Sequence, residues 1–230
     1  MNIVALVQAR MGSHRLPCKM MLSLRGMPLI DWVLHRTAKS ELLDHIVVAL
    51  PDTALDDVLA NHLENYGVDC FRGPENDVLR RFTLAAEKAG ATHIVRVCAD
   101  NPLIWGPEID RLIRHFHTLP NPDTAYAYNH IPRNNLYPDG LGAEMITMPL
   151  LRRLDALATD PVHREHCLSY IWDNPDQFNI STFNPADTRL HRPDIRLDVD
   201  RPEDFSKLSL MAIHADMPPA EVLLRYPKGV

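Results

Sequence analysis

Several things this sequence of 230 residues does not have narrow the possibilities first. No apolar run approaches the ~20 residues that a bilayer-spanning helix needs. Met1 leads into Asn2 and a five-residue apolar run rather than a basic stretch with a long apolar segment, so no secretory signal is expected. The four cysteines, Cys18, Cys70, Cys98 and Cys167, never stand as C-x-x-C, and reduced thiols in a cytoplasmic protein are the expectation. No G-x-G-x-x-G occurs, and Gly12 is the only glycine before Lys19 in the N-terminal loop, which excludes a G-x-x-x-x-G-K-[ST] phosphate loop. His163, His166 and Cys167 lie together, but zinc needs three or four convergent ligands and no second cluster accompanies them, so a zinc centre is rejected. The net charge of −6 argues against a general nucleic-acid binder, and internal repeats and low-complexity segments are absent.

What is present begins at the N-terminus. Ile3-Val4-Ala5-Leu6-Val7 is short, apolar and partly β-branched, as a strand buried on both faces of a parallel sheet should be. It runs into Gln8-Ala9-Arg10-Met11-Gly12-Ser13-His14-Arg15-Leu16-Pro17-Cys18-Lys19, which holds three cations and no acid in a chain that is acidic overall. A central strand delivers such a loop to the carboxyl edge of the sheet, where open α/β sheets bind ligands. Arg10, Arg15 and Lys19 there suit a polyphosphate, whose oxygens take charge-assisted hydrogen bonds. The plainer alternative is a solvated surface loop.

Further elements follow in alternation: a helix over Pro28–Arg36, a strand over Ile46–Leu50, a helix over Thr53–Asn65, a short strand at Cys70–Phe71, a helix over Asn76–Ala89 closed by Gly90, and a strand over His93–Val97. That rhythm predicts a doubly wound, mostly parallel α/β sheet. Beyond residue 107 it weakens. Helices are expected at Pro107–His117, Leu150–Leu157, Pro161–Trp172 and Pro202–His214, and strands at Tyr126–Tyr128, Ala143–Thr147, Phe178–Phe183 and Ile195–Leu197. The whole reads as one domain, with residues 1–106 the nucleotide-binding half and 107–230 the acceptor-binding half and closing elements.

Two acidic points share the sheet edge. Asp100 follows the strand at His93–Val97, and Asp198-Val199-Asp200 follows Ile195–Leu197. Mg²⁺ takes one or two carboxylates plus phosphate oxygens and water, so Asp100 and Asp200, with Asp198 as a weaker third, are candidate metal ligands beside a polyphosphate. Each has a plainer reading, Asp100 as a strand-end turn residue and Asp200 as the cap of the helix at Pro202.

The segments Q-A-R-M-G-S-x-R-L-P-x-K, R-x-x-A-D-x-P-L and D-V-D-x-P-E-D, in that order, resemble those of the CTP-dependent cytidylyltransferases. The resemblance is to the branch named for spore-coat polysaccharide biosynthesis, related to CMP-sugar-acid synthetases, and its motifs span residues 3–204. One departure is Cys18, where the family usually has glycine. The resemblance implies a Rossmann-like, glycosyltransferase-A-like fold. It also implies CTP bound by Gln8, Ala9, Arg10, Met11, Gly12, Ser13, Arg15, Lys19, Ala99 and Asp100, and Mg²⁺ held by Asp100 and Asp200 and more weakly by Asp198, with Arg10, Arg15, Lys19 and Asp100 catalytic. Arg72 and Asp77, in R-G-x-x-x-D-V-L, would help build the base pocket, although Asp77 equally suits a helix start. Tyr137, Asp139 and Glu144 in Y-P-D-G-x-x-x-E, with Arg164, Glu165 and His166 in R-E-H, would face the second substrate, and Arg133 and Arg164 suit an anionic one. The implied reaction moves CMP from CTP to a sugar acid, phosphate or phosphonate, and relatives of this kind often pair as homodimers; the composition adds the expectation of a cytoplasmic protein that contacts neither membrane nor nucleic acid. Two rivals stay open: a metal-dependent glycosyltransferase using Asp198-Val199-Asp200 as D-x-D, and a non-catalytic nucleotide-binding module.

Overall fold

The N-terminal strand β1 (Ile3–Gln8) is buried on both faces, as its unbroken apolar run requires. Alternate side chains supply two cores. Ile3, Ala5 and Val7 pack with Trp32 and Ile113 on one face, and Val4 and Leu6 with Phe82 and Leu151 on the other. The computed structural model describes residues 1–227.

A two-stranded hairpin, β2 (Ser23–Leu24) and β3 (Met27–Pro28), follows the cationic loop, and α1 (Leu29–Thr37) leads to β4 (His45–Pro51). Then come α2 (Asp57–Tyr66), β5 (Asp69–Gly73), α3 (Val78–Lys88), β6 (His93–Cys98) and α4 (Gly106–Phe116). The second half contributes β7 (Ala125–Tyr128), β8 (Glu144–Thr147), α5 (Met148–Leu157), α6 (Pro161–Glu165), α7 (Ser169–Asp173), β9 (Asn179–Thr182), α8 (Pro202–Leu210) and α9 (Pro219–Leu224). The main sheet has seven strands in the order β5-β4-β1-β6-β8-β7-β9. All its pairings are parallel except those of β8 with β6 and β7, so β8 alone is reversed. The expected doubly wound, mostly parallel α/β sheet is what forms.

Local chemistry sets several boundaries. The Asp77 carboxylate accepts from the Arg80 amide at 2.9 Å and caps α3. Asp204, in the first turn of α8, accepts from the amides of Arg201 at 2.9 Å and Asp200 at 3.2 Å. The cap position is therefore Arg201, not Asp200, and the Asp200 carboxylate is left for other partners. The helix expected over Pro161–Trp172 is two short ones, broken at His166-Cys167-Leu168, where Cys167 and Leu168 turn into the core. Ile195–Leu197 makes no strand, only a single bridge between Asp139 and Arg196. The helix at Pro202 stops at Leu210 rather than His214.

Candidate functional site

Strands β4 and β5 lie to one side of β1, and β6 to the other. The winding direction reverses between β1 and β6, and an open α/β sheet has its ligand crevice outside the carboxyl ends of the strands at such a point. A crevice of about 400 Å³ sits there, within the size range of small-molecule sites. Gln8, Ala9, Arg10, Ser13, Arg15, Lys19, Asp100, His166 and Asp200 line it. His14, Met20, Arg96 and Cys98, which carry no assigned role in the sequence, line it too.

The loop holds its shape through its own backbone. Met11 O accepts from the Ser13 amide at 2.9 Å and the Cys18 amide at 3.1 Å, and the Met11 amide donates to Asp56 Oδ1 at 2.8 Å. Met11 is thereby buried beneath the loop, and Ala99 is buried beside it, its amide donating to Gln8 O at 3.1 Å. Cys18 adopts a left-handed conformation (φ 57°, ψ 22°) as the chain turns back toward Lys19.

Lys19 is buried, and its Nζ donates to Val199 O at 2.8 Å across the crevice. The same ammonium lies 3.6 Å from Asp100 and 3.9 Å from Asp200, and Arg15 Nη2 lies 2.9 Å from Asp200. Three of the charged sequence candidates from separate segments, with Arg15, thus meet in one corner. Arg10 stands at the rim, 3.9 Å from Glu165. Asp198 turns elsewhere, to Arg196 at 2.6 Å and toward Asp139. Burial and the neighbouring Asp198 push the Asp139 carboxyl up to about 6. Between these acids Gly140 (φ +87°) carries the backbone so close that a Cβ would stand 3.0 Å from the Asp198 amide nitrogen.

Other sequence candidates lie outside the crevice lining. Arg72 pairs with Asp57 at 2.6 Å and Asp52 at 3.2 Å. Arg164 spans Asp77 and Asp155, both at 2.7 Å, and joins α3, α5 and α6. Arg133 stacks over Trp172, its guanidinium carbon 4.1 Å from the ring centroid. Tyr137 is fully buried, with its hydroxyl on Glu108. Glu144 is buried behind the crevice, where it binds Arg96 and accepts from the Tyr126 hydroxyl. Burial alone would raise the Glu144 carboxyl, but Arg96, His130 and Tyr126 outweigh that and hold it below the usual range. The signal for Arg96 was visible: one charged residue inside the apolar run His93-Ile94-Val95-Arg96-Val97.

A crevice at a parallel-strand switch point, lined by Arg10, Arg15, Lys19, Asp100 and Asp200, marks an open α/β protein with a charged ligand site. The cytidylyltransferase family model matches residues 4–212, and this chain belongs to that family. It is 31% identical over 215 residues to the spore coat polysaccharide biosynthesis protein SpsF of Bacillus subtilis (strain 168), a match covering 91% of this chain and 86% of that protein. Among solved structures, a cytidylyltransferase from Leptospira borgpetersenii serovar Hardjo-bovis (strain JB197) matches with a TM-score of 0.88 and 26% identity, over 100% of this chain and 99% of the other. The CTP complex of CMP:2-keto-3-deoxy-manno-octonic acid synthetase shares the fold, with a TM-score of 0.65 and 17% identity, over 91% of this chain and 97% of that one. No helix among the described residues is long and apolar enough to cross a membrane.

Proposed function

We propose that this chain transfers CMP from CTP to a small anionic acceptor and releases pyrophosphate. The observation that carries the reading is the corner where Lys19 and Arg15 meet Asp100 and Asp200 at 2.9–3.9 Å. These charges offset one another without ligand. A magnesium triphosphate offers both signs at once, so the cations can turn to phosphate oxygens while the carboxylates turn to the metal.

The donor set fits that ion. No group of three or more His, Cys, Asp and Glu gathers among the described residues, so no all-protein cage exists. Mg²⁺ prefers one or two carboxylates with phosphates and water completing its shell. Asp100 and Asp200, which share one ammonium, would hold it, and bound there it would supply charge neutralisation at the α-phosphate. Arg10, Arg15 and Lys19 would bind the triphosphate and stabilise the charge that gathers on the departing pyrophosphate. An acceptor oxygen forms the new bond to the α-phosphorus as the bond to the β-phosphate oxygen breaks; positioning and electrostatics dominate such transfers. An acceptor that attacks through an anionic oxygen needs no protein base. The acceptor would approach from the side of Asp139, Glu165 and His166.

Pyrophosphate release with Mg²⁺, each of the four nucleoside triphosphates and a panel of sugar acids, sugar phosphates and phosphonates tests this reading. Release with CTP and one acceptor class is expected. A nucleoside diphosphate released from a nucleotide sugar would overturn it in favour of glycosyl transfer.

A further inference from the structure

Gln8 ends β1 at the floor of the crevice, beside Arg96 of β6. Arg96 Nε and Nη2 donate to Gln8 Oε1 at 3.3 and 3.0 Å. A guanidinium has donors only, so the carboxamide oxygen must face it and the NH₂ group must face away. Among the described residues that nitrogen has no hydrogen-bond partner, while its residue lines the crevice.

Arg96 is itself held. Glu144 stands directly opposite it across the β6–β8 ladder and pairs with Nη1. The Tyr126 hydroxyl holds the other oxygen of Glu144. Tyr126, Glu144, Arg96 and Gln8 thus form one chain of hydrogen bonds that fixes which end of an amide the crevice presents. A buried ion pair contributes little net stability compared with apolar residues of the same volume, so the pair is better accounted for by what it orients.

An amide NH₂ can donate to a phosphate oxygen, but the cations beginning at Arg10 already serve the triphosphate, which leaves this amide for the base. With two donors and no acceptor, it suits a base edge made of acceptors. Cytosine shows two adjacent acceptors, N3 and O2, whereas uracil places an N3–H donor between its carbonyls. We infer that Gln8 is the residue that separates cytosine from uracil, and that Arg96 is the positioning residue that keeps its amide turned. This rests on the crevice being the CTP site.

Calorimetric titration with CTP and with UTP in Mg²⁺ tests it without needing the acceptor. The Gln8→Glu protein keeps an oxygen toward Arg96 but presents an acceptor to the crevice. Its preference for CTP over UTP should fall roughly 10- to 100-fold, the worth of one good two-point base contact. Arg96→Gln frees the Gln8 amide to turn either way, and its CTP:UTP ratio should fall by roughly tenfold or more while circular dichroism shows a native fold. Gln8→Glu with an unchanged ratio sinks the base-reading role. A folded Arg96→Gln protein with an unchanged ratio sinks the positioning role, and if that protein does not fold, Gln8→Glu decides alone. Wild-type protein that binds CTP and UTP equally defeats this inference but leaves nucleotidyl transfer standing. Wild-type protein that binds neither defeats both.

Discussion

The ion pairs at the mouth of the crevice and those behind it follow different rules. At the mouth, the contacts of the buried Lys19 to Asp100 and Asp200 are long, 3.6 and 3.9 Å, and the short pair, Arg15 with Asp200 at 2.9 Å, rests on an Arg15 side chain that keeps 63% of its surface in solvent. Behind it, Glu144 is 3% exposed beneath Arg96, and Arg164 sits 2.7 Å from each of two carboxylates. Pairs that are long, or that keep one partner in solvent, cost little to exchange for a ligand, whereas short, buried ones cost several kcal/mol to break. The difference separates charges open to exchange with a ligand from charges fixed in place, Arg96 against Gln8 and Arg164 between Asp77 and Asp155.

The largest expected effect breaks the mouth. Asp100→Asn removes a candidate metal ligand that is part-exposed and supports no core residue, so pyrophosphate release should fall by about 10²–10³-fold or more. The midpoint of thermal unfolding should stay within a few degrees of wild type. An Asp100→Asn protein with wild-type turnover would remove Asp100 from the metal site.

Behind the crevice the same kind of charge change should appear as stability. Glu144→Leu leaves the Arg96 guanidinium buried without its counter-charge and should cost about 3–5 kcal/mol by urea unfolding. Adding Arg96→Met should recover most of that loss, because an apolar pair can fill the space of a buried ion pair. A single variant as stable as wild type would erase the distinction between the two regions.

Asp139 lies beside Asp198 and Arg196 and should show its position through pH. Its carboxyl is raised to about 6 by burial and by Asp198. A raised carboxyl favours the folded state when protonated, so its contribution is fully present below the unfolded pKa and is lost as pH rises through about 6. Replacing Asp139 with Asn should therefore flatten the stability profile between pH 4 and 7 and leave the protein about 1 kcal/mol or more stabler at the upper end. Parallel profiles for the two proteins would show that Arg196 already neutralises Asp139.

Much of this contrast was present in the chain before any coordinates. The run Ile3–Val7 and its acid-free sequel placed the loop, and strand–helix alternation through residue 98 placed Asp100 at the same edge. The reversal of β8 was hidden, because Ala143–Thr147 is buried on both faces and has no polar alternation to show its direction. The break at His166-Cys167-Leu168 was hidden for a similar reason: Val162, Cys167, Leu168 and Ile171 continue an acceptable helical spacing, and only the surrounding core draws Cys167 and Leu168 inward. Hairpin β2–β3 offers two residues per strand, too few for any period, and α9 is only six residues long. Partners were the least legible feature. Arg96 and Glu144 are 48 positions apart, and Arg164 and Asp77 are 87 apart, so only the closed sheet and its packed helices bring them together.

The smallest effect concerns Cys18, the one departure from the family pattern noted in the cationic loop. Its left-handed backbone, φ 57°, is a conformation that costs a residue with a Cβ roughly 1–2 kcal/mol and glycine almost nothing. A glycine habit at this position follows from the turn that returns the chain from Met11 toward Lys19, not from crowding, since the Cys18 side chain is exposed. Cys18→Gly relieves that strain but also loosens the unfolded chain, and the two effects oppose each other. A net gain of about 0.5–1 kcal/mol is expected, read as a higher urea midpoint at unchanged slope. CTP affinity should move by less than about threefold, because the Lys19 contacts to Val199, Asp100 and Asp200 do not pass through the Cys18 side chain. A loss of stability would mean that the thiol makes a contact the backbone geometry does not reveal. A large gain in affinity would mean that the cysteine holds the loop away from its ligand-bound shape, placing part of the working machinery in a residue that otherwise only turns the chain.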